Sequence, residues 1–126
     1  AALARGAAAV QLGTAYLLCD EATTTPIHRA ALASEAARHT ALTTLFTGRP
    51  ARGIVNRLMR ELGPLSPLAP AFPTATAAIG PLRVAAEARG SGDCSPLWAG
   101  QNAPACRAEP AAAVTLALAA GWTAED

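Results

Sequence analysis

The chain has 126 residues, with ten Arg, no Lys and nine acidic residues, and its formal net charge is +1. This near-neutral balance argues against a nucleic-acid-binding protein, and the absence of an apolar stretch of about 18 residues argues against a membrane protein. No secretory leader pattern is found, so a cytoplasmic location is expected. The start at Ala1, inside an Ala-rich pattern, suggests the C-terminal piece of a longer chain. The length suits one domain and is too short for a complete (β/α)8 barrel of about 250 residues.

The first segment is predicted to lead into a candidate ligand site. Residues 1–9 are rich in Ala and expected to be helical, and an apolar strand with Val10 and Leu12 should follow and end at Gly13-Thr14. Because Gly13 lacks a Cβ, a phosphate can approach its amide, and the Thr14 hydroxyl can add a hydrogen bond. Ligands of α/β folds collect at the carboxyl ends of strands. An ordinary strand end without a ligand is the alternative, and it stays open at this point.

The middle of the chain is predicted to alternate between short helices and strands. Thr25 is placed to cap a helix that Pro26 begins, and Asn56 to cap another that Gly63 ends. The β-branched residues of 39–47 favour a strand over a helix. In chain order the predicted elements are a helix over 26–38, a strand over 39–47, a turn over 48–53, a short strand at 54–55 and a helix over 57–62.

The second half is predicted to consist of two helices separated by loops. Four prolines make 64–73 an irregular loop, and Gly80-Pro81 predicts a kink or a late start in the helix that follows. The predicted elements are a helix over 76–89 that Gly90-Ser-Gly92 closes, a loop over 93–104, and a last helix from Pro110 to Ala120 that Gly121 stops.

The loop over 95–101 is a second candidate site. Trp98 offers an apolar plate with a donor edge, which suits contact with an aromatic ring. Gly100 permits close backbone approach, and Gln101 offers both a donor and an acceptor. A Trp that only fills the gap between two helices is the alternative interpretation.

The Cys and His residues do not form a recognisable reactive or metal-binding pattern. Cys19, Cys94 and Cys106 cannot all pair and form no Cys-x-x-Cys, so free thiols are expected, with Cys19 in the core. His28 and His39 lack a nearby carboxylate-histidine pattern. No metal site is therefore predicted, and neither His is a convincing general base.

Four strings occur in one order along the chain: Gly6-Ala-Ala-Ala-Val-Gln-Leu-Gly-Thr-Ala-Tyr-Leu, Pro26-Ile-His-Arg-Ala-Ala-Leu, Phe46-Thr-Gly-Arg-Pro-Ala-Arg-Gly-Ile-Val-Asn-Arg and Leu97-Trp-Ala-Gly-Gln. Together they resemble the C-terminal part of the nitronate monooxygenase (2-nitropropane dioxygenase) family over nearly the whole chain. The resemblance implies an α/β fold, namely the last strand and helix of an FMN-binding TIM barrel with a smaller α+β domain inserted. It also implies oxidation of alkyl nitronates with molecular oxygen.

The resemblance also implies a division of the chain and roles for seven residues. Residues 1–20 would carry the last barrel strand, 21–92 the smaller domain that covers the flavin, and 93–126 the flavin-side loop and the returning helix. The implied FMN-binding residues are Gln11, Leu12, Gly13 and Thr14, at the phosphate, and Trp98, Gly100 and Gln101, in the returning loop.

No catalytic residue is assigned to this segment, because neither His28 nor His39 matches the family's catalytic histidine. The chain alone is therefore expected neither to hold FMN tightly nor to oxidise a nitronate. The expected partners are a small nitronate and oxygen, without nucleic acid or membrane. Two alternatives stay open: a related flavoenzyme such as the FMN-dependent enoyl reductase, which uses a nicotinamide cofactor, and a non-catalytic helical interaction fragment. The physiological nitronate and the oligomeric state are not predicted.

Overall fold

A computed structural model describes residues 2–120, which form short helices and one two-stranded antiparallel sheet. The regular elements are helices α1 (Pro26–Leu32), α2 (Arg57–Leu62), α3 (Ala75–Glu87) and α4 (Ala111–Ala119), and strands β1 (Thr40–Thr43) and β2 (Ala51–Ile54). Single 3-10 turns lie at Leu3–Arg5, Thr14–Tyr16, Glu35–Arg38 and Ala103–Ala105. Ala1 and Gly121, the predicted stop of the last helix, lie outside the described residues.

Both predicted helix caps are confirmed. The Thr25 hydroxyl accepts a hydrogen bond from the His28 amide at 3.3 Å, and the Asn56 side-chain oxygen accepts one from the Met59 amide at 3.3 Å. Each bond satisfies an amide that the first turn of a helix leaves without a partner. The caps therefore fix the starts of α1 and α2 where the sequence places them.

Helix α1 ends six residues before the predicted end at Arg38. Ser34 is the cause, because its hydroxyl donates to the Ala31 carbonyl at 2.8 Å and accepts from the Ala36 amide at 3.2 Å. A serine that bonds its own backbone in this way competes with the helical ladder. The chain consequently leaves the helix and re-forms as the short 3-10 turn.

The sheet lies close to its predicted position, but the connection between its strands covers 44–50, where a turn over 48–53 is predicted. Strand β1 pairs with β2 so that Thr40 lies opposite Ile54. Gly53, predicted in the turn, is instead a buried strand residue. The turn itself depends on Gly48, whose φ is +83° and where an added Cβ would lie 2.6 Å from the Pro70 carbonyl oxygen. Only glycine fits that position.

Helix α3 runs continuously through Pro81, so the predicted late start is wrong. Contacts on both sides of Pro81 hold this helix. The Thr76 hydroxyl donates to the Phe46 carbonyl at 2.9 Å, and Glu87 pairs with Arg83 at 2.7 Å and accepts from the Ser95 hydroxyl at 2.7 Å. These anchors compensate for the hydrogen bond that proline cannot donate.

The first thirteen residues differ most from the prediction. Only the 3-10 turn Leu3–Arg5 forms where a helix over 1–9 was expected, and no strand forms at Val10–Leu12. Val10 and Leu12 are 51% and 44% exposed. A strand needs a neighbour for its amide and carbonyl groups. Since β1 and β2 pair with each other, nothing in the described part of the chain pairs with these residues, and the strand predicted at Val10–Leu12 does not form there.

The core has two clusters that meet near Trp98. The first is formed by Leu18, Leu32, Ala37, Ile54, Leu97, Ala99 and Ala103. The second is formed by Leu45, Phe46, Leu58 and Met59, with Trp98 packed against it. The Phe46 and Trp98 rings meet edge to face at 5.7 Å, a favourable geometry for two aromatic rings. This packing fixes the loop that carries Trp98 against the sheet.

Candidate functional site

The candidate site begins at Gly13, immediately before the 3-10 turn Thr14–Tyr16. Gly13 is exposed, and a Cβ added to it would meet nothing within 4 Å. Within the described residues, the amide groups of Gly13 and Thr14 donate to no acceptor. Amides at the start of a helical turn lack partners along the helix. The turn therefore leaves two N–H groups without an acceptor in the described part of the chain, at an exposed glycine and the residue after it.

The structure brings Thr14 together with Gly100, although 86 residues separate them in the sequence. The Thr14 hydroxyl oxygen accepts a hydrogen bond from the Gly100 amide at 2.8 Å. The Thr14 carbonyl accepts from the Cys106 thiol at 3.0 Å. Because a hydroxyl can accept and donate at once, the Thr14 proton stays able to reach a third group. The two segments singled out in the sequence thus form one continuous surface.

Trp98 lies in an extended stretch beside β2. Its backbone bridges Gly53, the Ile54 amide donates to the Leu97 carbonyl at 2.8 Å, and the Ala99 amide donates to the Arg52 carbonyl at 3.1 Å. A Cβ at Gly53 would lie 2.9 Å from the Leu97 carbonyl oxygen. Gly53 is therefore required for this close approach, a role that the sequence analysis missed because it placed Gly53 in a turn.

The other predicted site residues are less closely tied to this contact. Gln11 and Gln101 are exposed, and in the part of the chain that the structure describes their side chains make no hydrogen bond. Leu12 is exposed beside Gly13. The Gly100 amide is already engaged by Thr14. Trp98 contributes to the core and also to the surface, since it is only half-buried.

His28 contacts the Trp98 loop, which the sequence analysis did not foresee. Its Nε2 lies 3.0 Å from the Trp98 carbonyl oxygen, a distance at which a neutral imidazole donates its N–H. Burial lowers the pKa of His28, with the carbonyl contact opposing that shift. The neutral form is therefore favoured, and His28 holds the loop in place.

Two contacts tie the end of this segment to helix α4. Both carboxylate oxygens of Glu21 accept from the Ala111 amide, at 3.0 and 3.1 Å, and this bond lowers the pKa of Glu21. The Tyr16 hydroxyl lies 3.0 Å from the Thr115 hydroxyl. Glu21 thereby caps α4 from another part of the chain, a long-range contact without a local sequence signal.

The three cysteines are free thiols, and Cys19 is buried in the core as predicted. Burial raises the pKa of Cys106, so this thiol is held in its protonated form and serves as a donor to Thr14. No group of three or more His, Cys, Asp or Glu within the described residues is arranged to hold a metal ion. None of the helices in that part of the chain has the length and apolar character that crossing a bilayer requires.

Comparisons with known proteins identify one family. Residues 1–117 match the family model described as nitronate monooxygenase. A nitronate monooxygenase of Pseudomonas aeruginosa is 44% identical over 113 residues, covering 89% of this chain and 32% of the relative. One of Paraburkholderia phytofirmans is 42% identical over 120 residues, covering 94% and 32%. The solved structure of a nitroalkane oxidase from Streptomyces ansochromogenes matches with a TM-score of 0.83 at 45% identity, covering 94% of this chain and 34% of that one. The chain thus spans about a third of the length of these relatives.

Proposed function

Because this chain belongs to the nitronate monooxygenase family, we propose that it supplies the phosphate-binding part of a cytoplasmic, FMN-dependent enzyme that oxidises alkyl nitronates with molecular oxygen. The proposal extends to the architecture, in which this chain is the C-terminal part of a TIM barrel flavoenzyme. The division into 1–20, 21–92 and 93–126 is part of the same proposal.

The observation that carries the proposal is the pair of free amides at Gly13 and Thr14 beside the fixed Thr14 hydroxyl. A phosphate accepts hydrogen bonds, and N–H groups at the start of a helical turn suit an anion. Thr14 is already oriented by the Gly100 amide at 2.8 Å. Two amide donors without an acceptor in the described part of the chain and one half-buried hydroxyl donor match the chemistry of a terminal phosphate, so the residues present fit this end of FMN.

The remaining predicted residues have distinct proposed roles. Gly100 orients Thr14 and does not bind the phosphate itself, since its amide is taken. Trp98 fixes the loop through Phe46 and leaves its exposed part for the flavin side. Gln11, Leu12 and Gln101 flank the two segments and are free to approach the cofactor.

When bound, FMN supplies the redox chemistry that oxidises the nitronate with oxygen. The residues of this chain bind and orient: Gly13 and Thr14 anchor the phosphate, and the surface from Thr14 to Gln101 limits where the cofactor lies. No proton-transfer role is proposed for His28, because its Nε2 is engaged with the Trp98 carbonyl.

The experiment measures oxygen uptake by the longer protein that this proposal implies, purified with its flavin, after an alkyl nitronate is added. Nitronate-dependent oxygen uptake without NAD(P)H is the expected result. NAD(P)H oxidation in place of nitronate oxidation would favour the enoyl reductase-like alternative. A purified protein without flavin that captures a protein partner would favour the interaction fragment, and either outcome would overturn the proposal.

A further inference from the structure

The Arg29 side chain makes an unusual set of contacts just after the candidate phosphate site. Within residues 2–120, its guanidinium donates only to backbone carbonyls: to Leu18 at 2.8 Å, to Cys19 at 2.6 Å, to Ala22 at 3.0 Å and to Thr24 at 3.3 Å. Arg38, Arg57, Arg83 and Arg107, in contrast, each pair with a carboxylate. Arg29 thus uses its donors to fix the path of the backbone.

The carbonyls that Arg29 binds end a series of turns that starts at Gly13. The Tyr16 amide donates to the Gly13 carbonyl at 3.0 Å, the Leu17 amide to Thr14 at 3.1 Å, and the Cys19 amide to Tyr16 at 3.1 Å. The last carbonyls of such a turn have no partner within it. Arg29 supplies a donor to the Leu18 carbonyl and a second donor to the Cys19 carbonyl, which also accepts from the Ala22 amide at 3.1 Å. In the described part of the chain, no sheet ladder holds this segment.

From these contacts we propose that Arg29 is a positioning residue for the phosphate anchor at Gly13 and Thr14, an inference that rests on the proposed function. Gly100 and Cys106 hold Thr14 from the loop side. Arg29 holds the opposite end of the same segment. The amides of Gly13 and Thr14 are thereby held in position before a ligand binds, which lowers the conformational entropy lost on binding.

The geometry of the guanidinium explains why this position requires Arg. A guanidinium offers five N–H donors in a rigid plane, whereas an ammonium offers three around a point. Four acceptors spread over seven residues need the wider, planar set. Arg29 is itself fixed, because α1 is capped by Thr25 and anchored by the buried Leu32. Arg29→Lys therefore restores only part of the order.

The test compares amide hydrogen exchange, followed by NMR, in the 126-residue chain and in its Arg29→Gln variant. The amides of Tyr16, Leu17 and Cys19 are expected to exchange about tenfold faster in the variant. The Ile54 amide, bonded to Leu97 in the sheet at 2.8 Å, reports general stability and is expected to be unchanged. If Arg29→Gln does not fold, Arg29→Lys provides the same comparison. Arg38→Gln, which removes an exposed surface guanidinium, is the matched control.

A titration with inorganic phosphate tests positioning itself. The shifts of the Gly13 and Thr14 amides are expected to saturate at about tenfold higher phosphate in Arg29→Gln, with an intermediate value in Arg29→Lys. A structural role without positioning would leave this titration unchanged.

Three results separate the claims. Unchanged exchange at Tyr16, Leu17 and Cys19 overturns the role of Arg29, as does an equal acceleration at Ile54. An unchanged phosphate titration in Arg29→Gln also overturns it. If inorganic phosphate leaves the chemical shifts of the Gly13 and Thr14 amides unchanged in the unmodified chain, the assignment of a phosphate site fails. The positioning role then fails as well, even where hydrogen exchange shows that Arg29 orders the segment.

Discussion

At the residue scale, Thr14 joins two segments of the candidate site through one hydroxyl. Thr14→Val keeps the side-chain shape but leaves the Gly100 amide without its acceptor at 2.8 Å. A half-buried hydrogen bond lost in this way costs about 1 to 2 kcal/mol of the free energy of unfolding. Urea unfolding followed by circular dichroism measures that loss.

Thr23→Val is the matched control, because Thr23 is exposed and its hydroxyl makes no hydrogen bond within the described residues. The control is expected to stay within about 0.5 kcal/mol of the unmodified chain. Equal losses for the two variants would show that the contact between Thr14 and Gly100 does not stabilise the fold.

Also at the residue scale, His28 is expected to make stability depend on pH. Burial lowers its pKa in the folded chain from the ordinary 6.5. The unfolded chain therefore binds a proton first as pH falls, so stability is full above pH 6.5 and is lost as pH decreases below it. The loss continues until pH passes the lowered pKa, and below that it is constant. Thermal unfolding between pH 7.5 and 5.0 measures this loss of stability, because the range of about 2.5 pH units includes the ordinary pKa of His.

His28→Gln keeps a side-chain donor for the Trp98 carbonyl and removes the titration. The fall in Tm just below pH 6.5 is expected to be smaller in this variant. His39→Gln changes an exposed histidine and is expected to reproduce the unmodified profile. A profile that His39→Gln flattens and His28→Gln leaves unchanged would contradict the assignment.

At the element scale, helix α2 depends on Asn56 for more than its cap. The side-chain oxygen of Asn56 accepts from Met59, and its amide nitrogen donates to the carbonyls of Gly92 at 3.0 Å and Ser95 at 2.9 Å. Asn56→Ala removes all three bonds at a buried site and is expected to cost roughly 3 kcal/mol. Chemical unfolding measures the loss.

Thr25→Ala is the comparison for that variant. Thr25 is exposed and caps α1 with a single bond to His28, so its removal is expected to cost about 1 kcal/mol. A cost for Asn56→Ala no greater than that of Thr25→Ala would show that the bonds to the 92–95 segment contribute nothing.

The same elements show what could be predicted from the sequence. The caps Thr25 and Asn56 each act on an amide three residues away, so their local pattern is sufficient. Ser34, which ends α1, also acts locally, and its signal was present but overlooked in an Ala-rich run. The contacts of Arg29 with 18–24 and of Thr14 with Gly100 depend on how distant segments pack. The sequence predicts Thr14 and Gly100 as site residues, but it does not indicate that they form a hydrogen bond with each other.

The predicted strand at Val10–Leu12 failed for a related reason. The residues have the apolar pattern of a buried strand, but a strand forms only where another strand accepts its hydrogen bonds. The apolar pattern can be seen within the segment itself, whereas the strand that would pair with it must come from a distant part of the sequence. The described residues offer no such partner, and these side chains remain exposed.

At the scale of the whole molecule, the chain spans about a third of its relatives' length and carries one part of the proposed site. On α4, Leu116 and Leu118 are 73% and 46% exposed, whereas Val114 is buried. A helix that is apolar on all sides is normally covered. We therefore expect the 126-residue chain alone neither to retain FMN through gel filtration nor to consume oxygen with a nitronate. Stoichiometric FMN with turnover would contradict this expectation.

The most direct test of the central claim is an NMR titration of the chain with FMN and, in parallel, with riboflavin, which lacks the phosphate. We predict that FMN changes the chemical shifts of the Gly13 and Thr14 amides and that riboflavin does not. The binding of FMN is expected to be weak, without stoichiometric retention. Equal shifts with both flavins, or shifts with FMN that omit Gly13 and Thr14, would contradict the assignment of the phosphate anchor.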